Sequence, residues 1–224
     1  MPGPRETAFD SLASVPVHYD RLTDFPYGSK GRPRTFECRK KLKDTLNLCM
    51  AELFEVWGRG KPSIILTAGT IGDGMNAHGQ GYAFDLDGFY WGTDRFTMNE
   101  YPDNRRFYNG INAHLFLYFS QVLSYHYPNH KDHFHVDFNF SFTFRPQSNA
   151  QTFFLQSALK YVFDRDIGHT GSEHDGVGGV YDAATKPAVS SVLDELGLSG
   201  QGGISNRTVW KKFLLGACPD SVRR

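Results

Sequence analysis

Apolar residues recur along this chain with two different periods, and the switch between them outlines its elements. Between Phe36 and Trp57, the residues Leu42, Leu46, Cys49, Met50, Leu53 and Trp57 repeat at 3.6-residue spacing and predict an amphipathic helix. Gly58-Arg59-Gly60-Lys61-Pro62 ends it, and Ser63–Thr67 reads as a buried strand. Ala68–Gly81 holds five glycines and predicts a loop, whereas Tyr82–Phe89 alternates as a strand. Asp94–Asn109 is polar and irregular. Ile111–His126 places Leu115, Phe116, Phe119, Val122 and Leu123 on one helical face. From His133 to Phe144, Phe134, Val136, Phe138 and Phe140 alternate with His133, His135, Asp137 and Asn139, the clearest strand pattern in the chain.

The pattern changes beyond Arg145–Ala150, which reads as a linker. Phe153–Phe163, Ala183–Leu196 and Asn206–Leu215 predict three short helices, the first two separated by a loop of five glycines at Gly168–Gly179. The expected organisation is an α+β unit over residues 1–145 followed by a small three-helix unit over 150–218. Residues 1–35, rich in Pro, Gly and charge, are expected to wrap the surface.

Composition narrows the function classes. The chain has 224 residues, 40% of them hydrophobic, enough for one sizeable core or two modest ones. Its 24 basic and 24 acidic side chains cancel, which removes any electrostatic argument for nucleic acid or an anionic membrane. No apolar run approaches the ~20 residues that span a bilayer, so no transmembrane segment is expected. The first residues lack the basic and apolar regions of a signal peptide. If Cys38 and Cys49 share one helix, they lie about 16 Å apart along its axis, beyond the ~7 Å that a disulfide tolerates. Cys218 could pair with either or stay free.

Two segments carry chemistry. His78-Gly79-Gln80-Gly81-Tyr82-Ala83-Phe84-Asp85 and Asp132-His133-Phe134-His135 together supply two imidazoles and a carboxylate with a further acid beside them. Two imidazoles and one carboxylate leave a zinc ion an open position for water, as in catalytic rather than structural sites. The favoured ligands are His78, Asp85 and His135. Asp132 is then the general base that takes a proton from the metal-activated water, provided that it lies on a bend before the strand. His133 would hydrogen-bond the substrate carbonyl or the oxyanion, and Asp87 and Asp137 would orient the ligand imidazoles. Taken singly, each of these residues is more simply a polar surface or strand-end group; it is their joint occurrence that points to a metal. His and Asp donors accept several divalent ions, so zinc is an expectation drawn from the donor set. His169, Glu173, His174 and Asp175 could serve a second metal, although a polar loop is the simpler reading. His114 and His126 are expected to be structural, and His18 and His130 lack a partner pattern.

The pattern His78-x-x-Gly81-x-Ala83-x-Asp85 followed by Asp132-x-x-His135 resembles the zinc D-Ala-D-Ala carboxypeptidase and L-alanyl-D-glutamate endopeptidase family. Asn129–Asp137 looks closest to its extensin-like C-terminal branch. The resemblance covers roughly residues 20–145. It implies a fold shared with the hedgehog signalling domain, Zn2+ on His78, Asp85 and His135, Asp132 as base, and hydrolysis of peptidoglycan stem peptides at the cell envelope or outside the cell. The chain departs from the family at Asn76, where Ser is usual, and in Thr67–Asp73, which lacks the Arg that orients substrate in many members. Leu155–Leu159, Asp175–Tyr181 and Thr208-Val209-Trp210 resemble the three-helix peptidoglycan-binding domain. The rival expectations are an inactive peptidoglycan-binding protein that keeps the fold, and a phage lysin with the same chemistry.

Overall fold

In the structure, a computed structural model that describes residues 5–70, 72, 74–168 and 175–222, the two periods resolve into a mixed sheet, a small ribbon and five helices. The N-terminal part contributes β1 (Thr7–Phe9), β2 (Ser11–Leu12), β3 (Val15–Tyr19), β4 (Arg32–Pro33), β5 (Phe36–Cys38) and α1 (Lys40–Val56). The central part contributes β6 (Ile64–Gly69), β7 (Phe84–Trp91), β8 (Asp94–Thr97), α2 (Arg105–Tyr118), β9 (Gln121–Leu123) and β10 (Phe134–Asp137). Helices α3 (Asn149–Tyr161), α4 (Thr185–Glu195) and α5 (Arg207–Val222) complete the chain. This is an α+β architecture with the last three helices gathered at the C-terminus. No helix among the described residues is long and apolar enough to cross a membrane.

The main sheet runs β2-β3-β6-β7-β10-β9, with β4 beside β3 and β8 beside β7. Among the described residues only β3 and β6 pair in parallel; the other neighbours are antiparallel. β1 and β5 form a separate ribbon. On α1 the stripe Leu42, Leu46, Cys49, Met50 and Leu53 is buried, as its spacing predicts. At the other end of the chain Trp210 of α5 lies 6.1 Å from Phe116 of α2, 5.3 Å from Phe144 and 5.9 Å from Phe154 of α3, centroid to centroid. The C-terminal helices therefore share an aromatic cluster with the sheet-bearing part.

Several boundaries differ from the sequence reading, each for a local reason. The first helix starts at Lys40, because Phe36 and Cys38 bury alternately and pair with β1. Glu6, just before β1, accepts a hydrogen bond from the Lys40 amide (3.1 Å) and so satisfies one of the open helix-start donors. Cys38 thus lies on a strand, not on the helix with Cys49, and no disulfide joins the three cysteines. Asp94–Asn109 is not irregular: Gly92 at φ +65° turns β7 into β8, and α2 begins at Arg105. The helix expected through His126 stops at Tyr118, since Val122 and Leu123 pair with Val136 and His135. The expected twelve-residue strand is only β10, because the Asn139 backbone and side chain both fold back onto the Asp137 carboxylate.

Candidate functional site

Strand register brings the first two site residues together. In the antiparallel pair β7–β10, His135 lies directly opposite Asp85, while Phe84 and Leu86 oppose Val136 and Phe134. Alternate residues point to opposite faces. Asp85 and His135 therefore share one face, and the four apolar neighbours are fully buried on the other. Asp85 Oδ1 lies 3.0 Å from His135 Nδ1.

His78 arrives from a turn, not a strand. The Gly79 amide donates to Asn76 Oδ1 (2.9 Å), the Gly81 amide to the His78 carbonyl and the Tyr82 amide to the Ala77 carbonyl. Asn76 thus ties the turn from a position where the resembling family has Ser. Gly79 is required there: a Cβ would lie 1.9 Å from the Gly74 carbonyl oxygen. This turn points His78 Nε2 to within 3.2 Å of Asp85 Oδ1 and 3.0 Å of His135 Nδ1. Each donor atom lies within hydrogen-bond distance of the other two, and His78, Asp85 and His135 form a group that could hold a metal ion.

The surroundings fix the roles of these atoms. His135 Nε2 donates to Asp137 Oδ2 at 2.9 Å, which turns Nδ1 toward the other two donors. This is the orienting contact expected of Asp137. Asp87 does not orient an imidazole; it takes a two-pronged contact from Arg21 (3.0 and 2.5 Å). Burial opposes ionisation of Asp85, but hydrogen bonds from His135 and His78 outweigh it and hold the carboxyl well below the usual range. The reverse balance applies to His135: burial disfavours its charged form, yet Asp137 and Asp85 raise its pKa to about 9. Without a metal, a proton on His135 therefore holds the three groups together.

Asp132 lies on the bend just before β10, as a base role requires. Its Oδ1 accepts from His133 Nδ1 (2.8 Å) and its Oδ2 from Arg21 Nη1 (2.6 Å). The Tyr27 hydroxyl donates to its backbone carbonyl. His133 Nε2 in turn lies 3.9 Å from Asp85 Oδ1.

Sequence reasoning missed Arg21, which sits in a segment read as surface wrapping, and His130. The His130 ring lies 4.7 Å from that of His133 and 6.0 Å from that of His135, centroid to centroid. Its nearness in sequence to both was the available signal. His114 is buried and bonds the Cys49 carbonyl (2.9 Å), a structural role as expected. His126 bonds Asp175 (2.9 Å), which also accepts from Tyr101 (3.0 Å). The other donors of the suggested second metal site, His169, Glu173 and His174, lie outside the described residues.

No protein family, curated protein or solved structure matches this chain in the comparisons made.

Proposed function

We propose that this chain is a zinc-dependent hydrolase that cleaves peptide bonds in peptidoglycan stem peptides. On this reading the sheet and α1 form a domain like that of the D-Ala-D-Ala peptidases and hedgehog. The C-terminal helices resemble a wall-binding unit that raises the local concentration of an insoluble substrate. The observation that carries the reading is the donor triangle with edges of 3.0, 3.0 and 3.2 Å. Tetrahedral zinc with bonds of about 2.0–2.1 Å spaces its donors by ~3.3 Å, so the triangle fits one face of such a site and leaves a fourth position. The sequence motifs supply the substrate class. Zinc, when bound, polarises the scissile carbonyl and acidifies water.

The remaining roles belong to the chain. Asp137 fixes His135 in the tautomer that offers Nδ1 as donor. Replacing Asp137 with Ala should weaken zinc affinity by roughly 10–100-fold, measured by titration against a competing chelator. Both Asp132 oxygens are engaged, and the ring nitrogen turned toward the triangle is His133 Nε2. Asp132 therefore acts together with His133: the carboxylate holds the proton on Nδ1, and Nε2 accepts the proton from the attacking water.

Asp132→Ala and His133→Ala should each retain zinc and lower kcat by about 10²–10⁴-fold. If the two act as a pair, the double variant loses little more than either single one. Multiplying losses would instead mean a separate base and oxyanion donor. The reading as a whole is tested by mass spectrometry of products from purified sacculi, with and without chelator. Intact sacculi after incubation with zinc-loaded protein would leave only a binding role.

A further inference from the structure

The face of the sheet that carries the ligand triangle does not end at β10. β9 is the outer strand, and Leu123 and Gln121 lie opposite His135 and Asp137 in its register. Residues opposite one another in an antiparallel pair project to the same face. Leu123 and Gln121 line a cavity of about 640 Å³ that reaches Tyr127, Phe140 and Arg145, in the segment before α3. A second cavity of about 280 Å³ borders the His78 turn through Ala77 and Gln80 and is also lined by Tyr82 and Lys41. Asn139 lines both. The Asn139 side chain donates to Asp137 Oδ2, the oxygen that also holds His135. The two cavities thus adjoin at the residue that contacts Asp137.

Their chemistry is alike. Each contains a single base packed over an aromatic ring: Arg145 lies 5.7 Å from the centre of Phe140 and Lys41 lies 4.1 Å from that of Phe138. Neither lining includes an acidic residue, and neither base forms an ion pair among the described residues. Two bases in adjoining cavities whose linings hold no acid mark where an anion is expected from outside. The larger cavity falls within the ~300–1,000 Å³ typical of small-ligand pockets, which suits a few residues of extended peptide.

We infer that these cavities form the substrate cleft and that it selects an extended peptide carrying free carboxylates, with Arg145 as the principal carboxylate-binding residue and Lys41 as the second. The inference rests on the hydrolase reading for the peptide's identity. Arg145 suits the larger role because a guanidinium can bind a carboxylate through two parallel hydrogen bonds.

The test uses the full-length, zinc-free protein, so that binding is read without turnover. The probes are L-Ala-γ-D-Glu-L-Lys-D-Ala-D-Ala and the same peptide with both carboxyls converted to amides, compared by isothermal titration calorimetry. The acid form should bind about tenfold or more tightly than the amide form, as expected for one charge-assisted contact. Arg145→Gln should abolish most of that preference, Arg145→Lys should keep part of it, and Lys41→Gln should reduce it by less. Equal affinity for the two peptides, including no measurable binding of either, overturns the inference, as does an unchanged preference in Arg145→Gln. Tripolyphosphate binding more tightly than the acid peptide would also overturn it, by marking a phosphate polymer as the occupant. Absent zinc uptake or turnover would sink the hydrolase reading while leaving the carboxylate preference as measured.

Discussion

Replacing His78 or Asp85 with Ala is expected to strip the metal and end turnover while the fold persists. Each supplies one of only three donor atoms, and two remaining donors cannot hold zinc in a tetrahedral site. The loss of affinity should exceed the roughly 10–100-fold of an orienting residue such as Asp137. Elemental analysis of the purified variants reads it directly; full zinc content in either would refute the ligand assignment. The fold should survive because Phe84, Leu86, Phe134 and Val136, which pin β7 to β10, lie on the opposite face. The pH dependence has a definite sign. His135 has a pKa of about 9 when folded without metal, against about 6.5 unfolded. Its contribution to stability is complete below about pH 6.5 and is lost as pH rises through about 9. On the proposed reading zinc would replace that proton, so between these limits uptake should release a proton and apparent affinity should rise with pH. Thermal melts of the metal-free protein should show Tm falling across this window, and melts of the zinc-loaded protein should not.

Much of the site was legible because its chemistry is local in sequence. His78, Asp85 and His135 stand in two short motifs, and the alternation in each announced which residues would share a face. The helix stripe on α1 was readable for the same reason. What the sequence hid was set by pairing. The segment Gln121–Leu123 fits a helical pattern as well as a strand, and only Val136 and His135 across from it decide the outcome. The end of β10 depends on one asparagine folding back onto Asp137. Arg21 was invisible because its partners are 66 and 111 residues away and no local period marks a residue whose role is to neutralise distant acids. The bend that a base role requires of Asp132 is present, but its pairing with His133 could not be read from adjacency alone.

Replacing Arg21 with Ala should be the most destabilising single change near the site. One guanidinium serves three acids: it meets Asp87 twice, Asp132 once, and lies 3.8 Å from Asp20. The Asp20 and Asp87 side chains are fully buried. Burial and the neighbouring Asp20 push the Asp87 carboxyl well above its usual range even with Arg21 present. Removing the cation leaves buried acids unpaired, a loss of about 3–5 kcal/mol in comparable cases. The sign with pH follows from the raised Asp87 pKa: protonation relieves the site, so the penalty is smallest in acid and grows as pH rises through the folded pKa. Asp87→Asn alone should cost only about 1 kcal/mol, since its amide still accepts from Arg21 and can donate to Asp20. The decisive comparison is the double variant. Adding Asp87→Asn to Arg21→Ala should recover more than half of the lost stability in urea denaturation, because the buried charge that made the deletion costly has gone. Additive losses would mean that Arg21 stabilises the fold through its packing over the Tyr27 ring, 4.8 Å away, and not through the acids it bridges. Activity separates the two explanations again. Asp132 would still lack its Arg21 contact in the double variant, so restored stability without restored turnover would identify Arg21 as the residue that positions the Asp132–His133 pair.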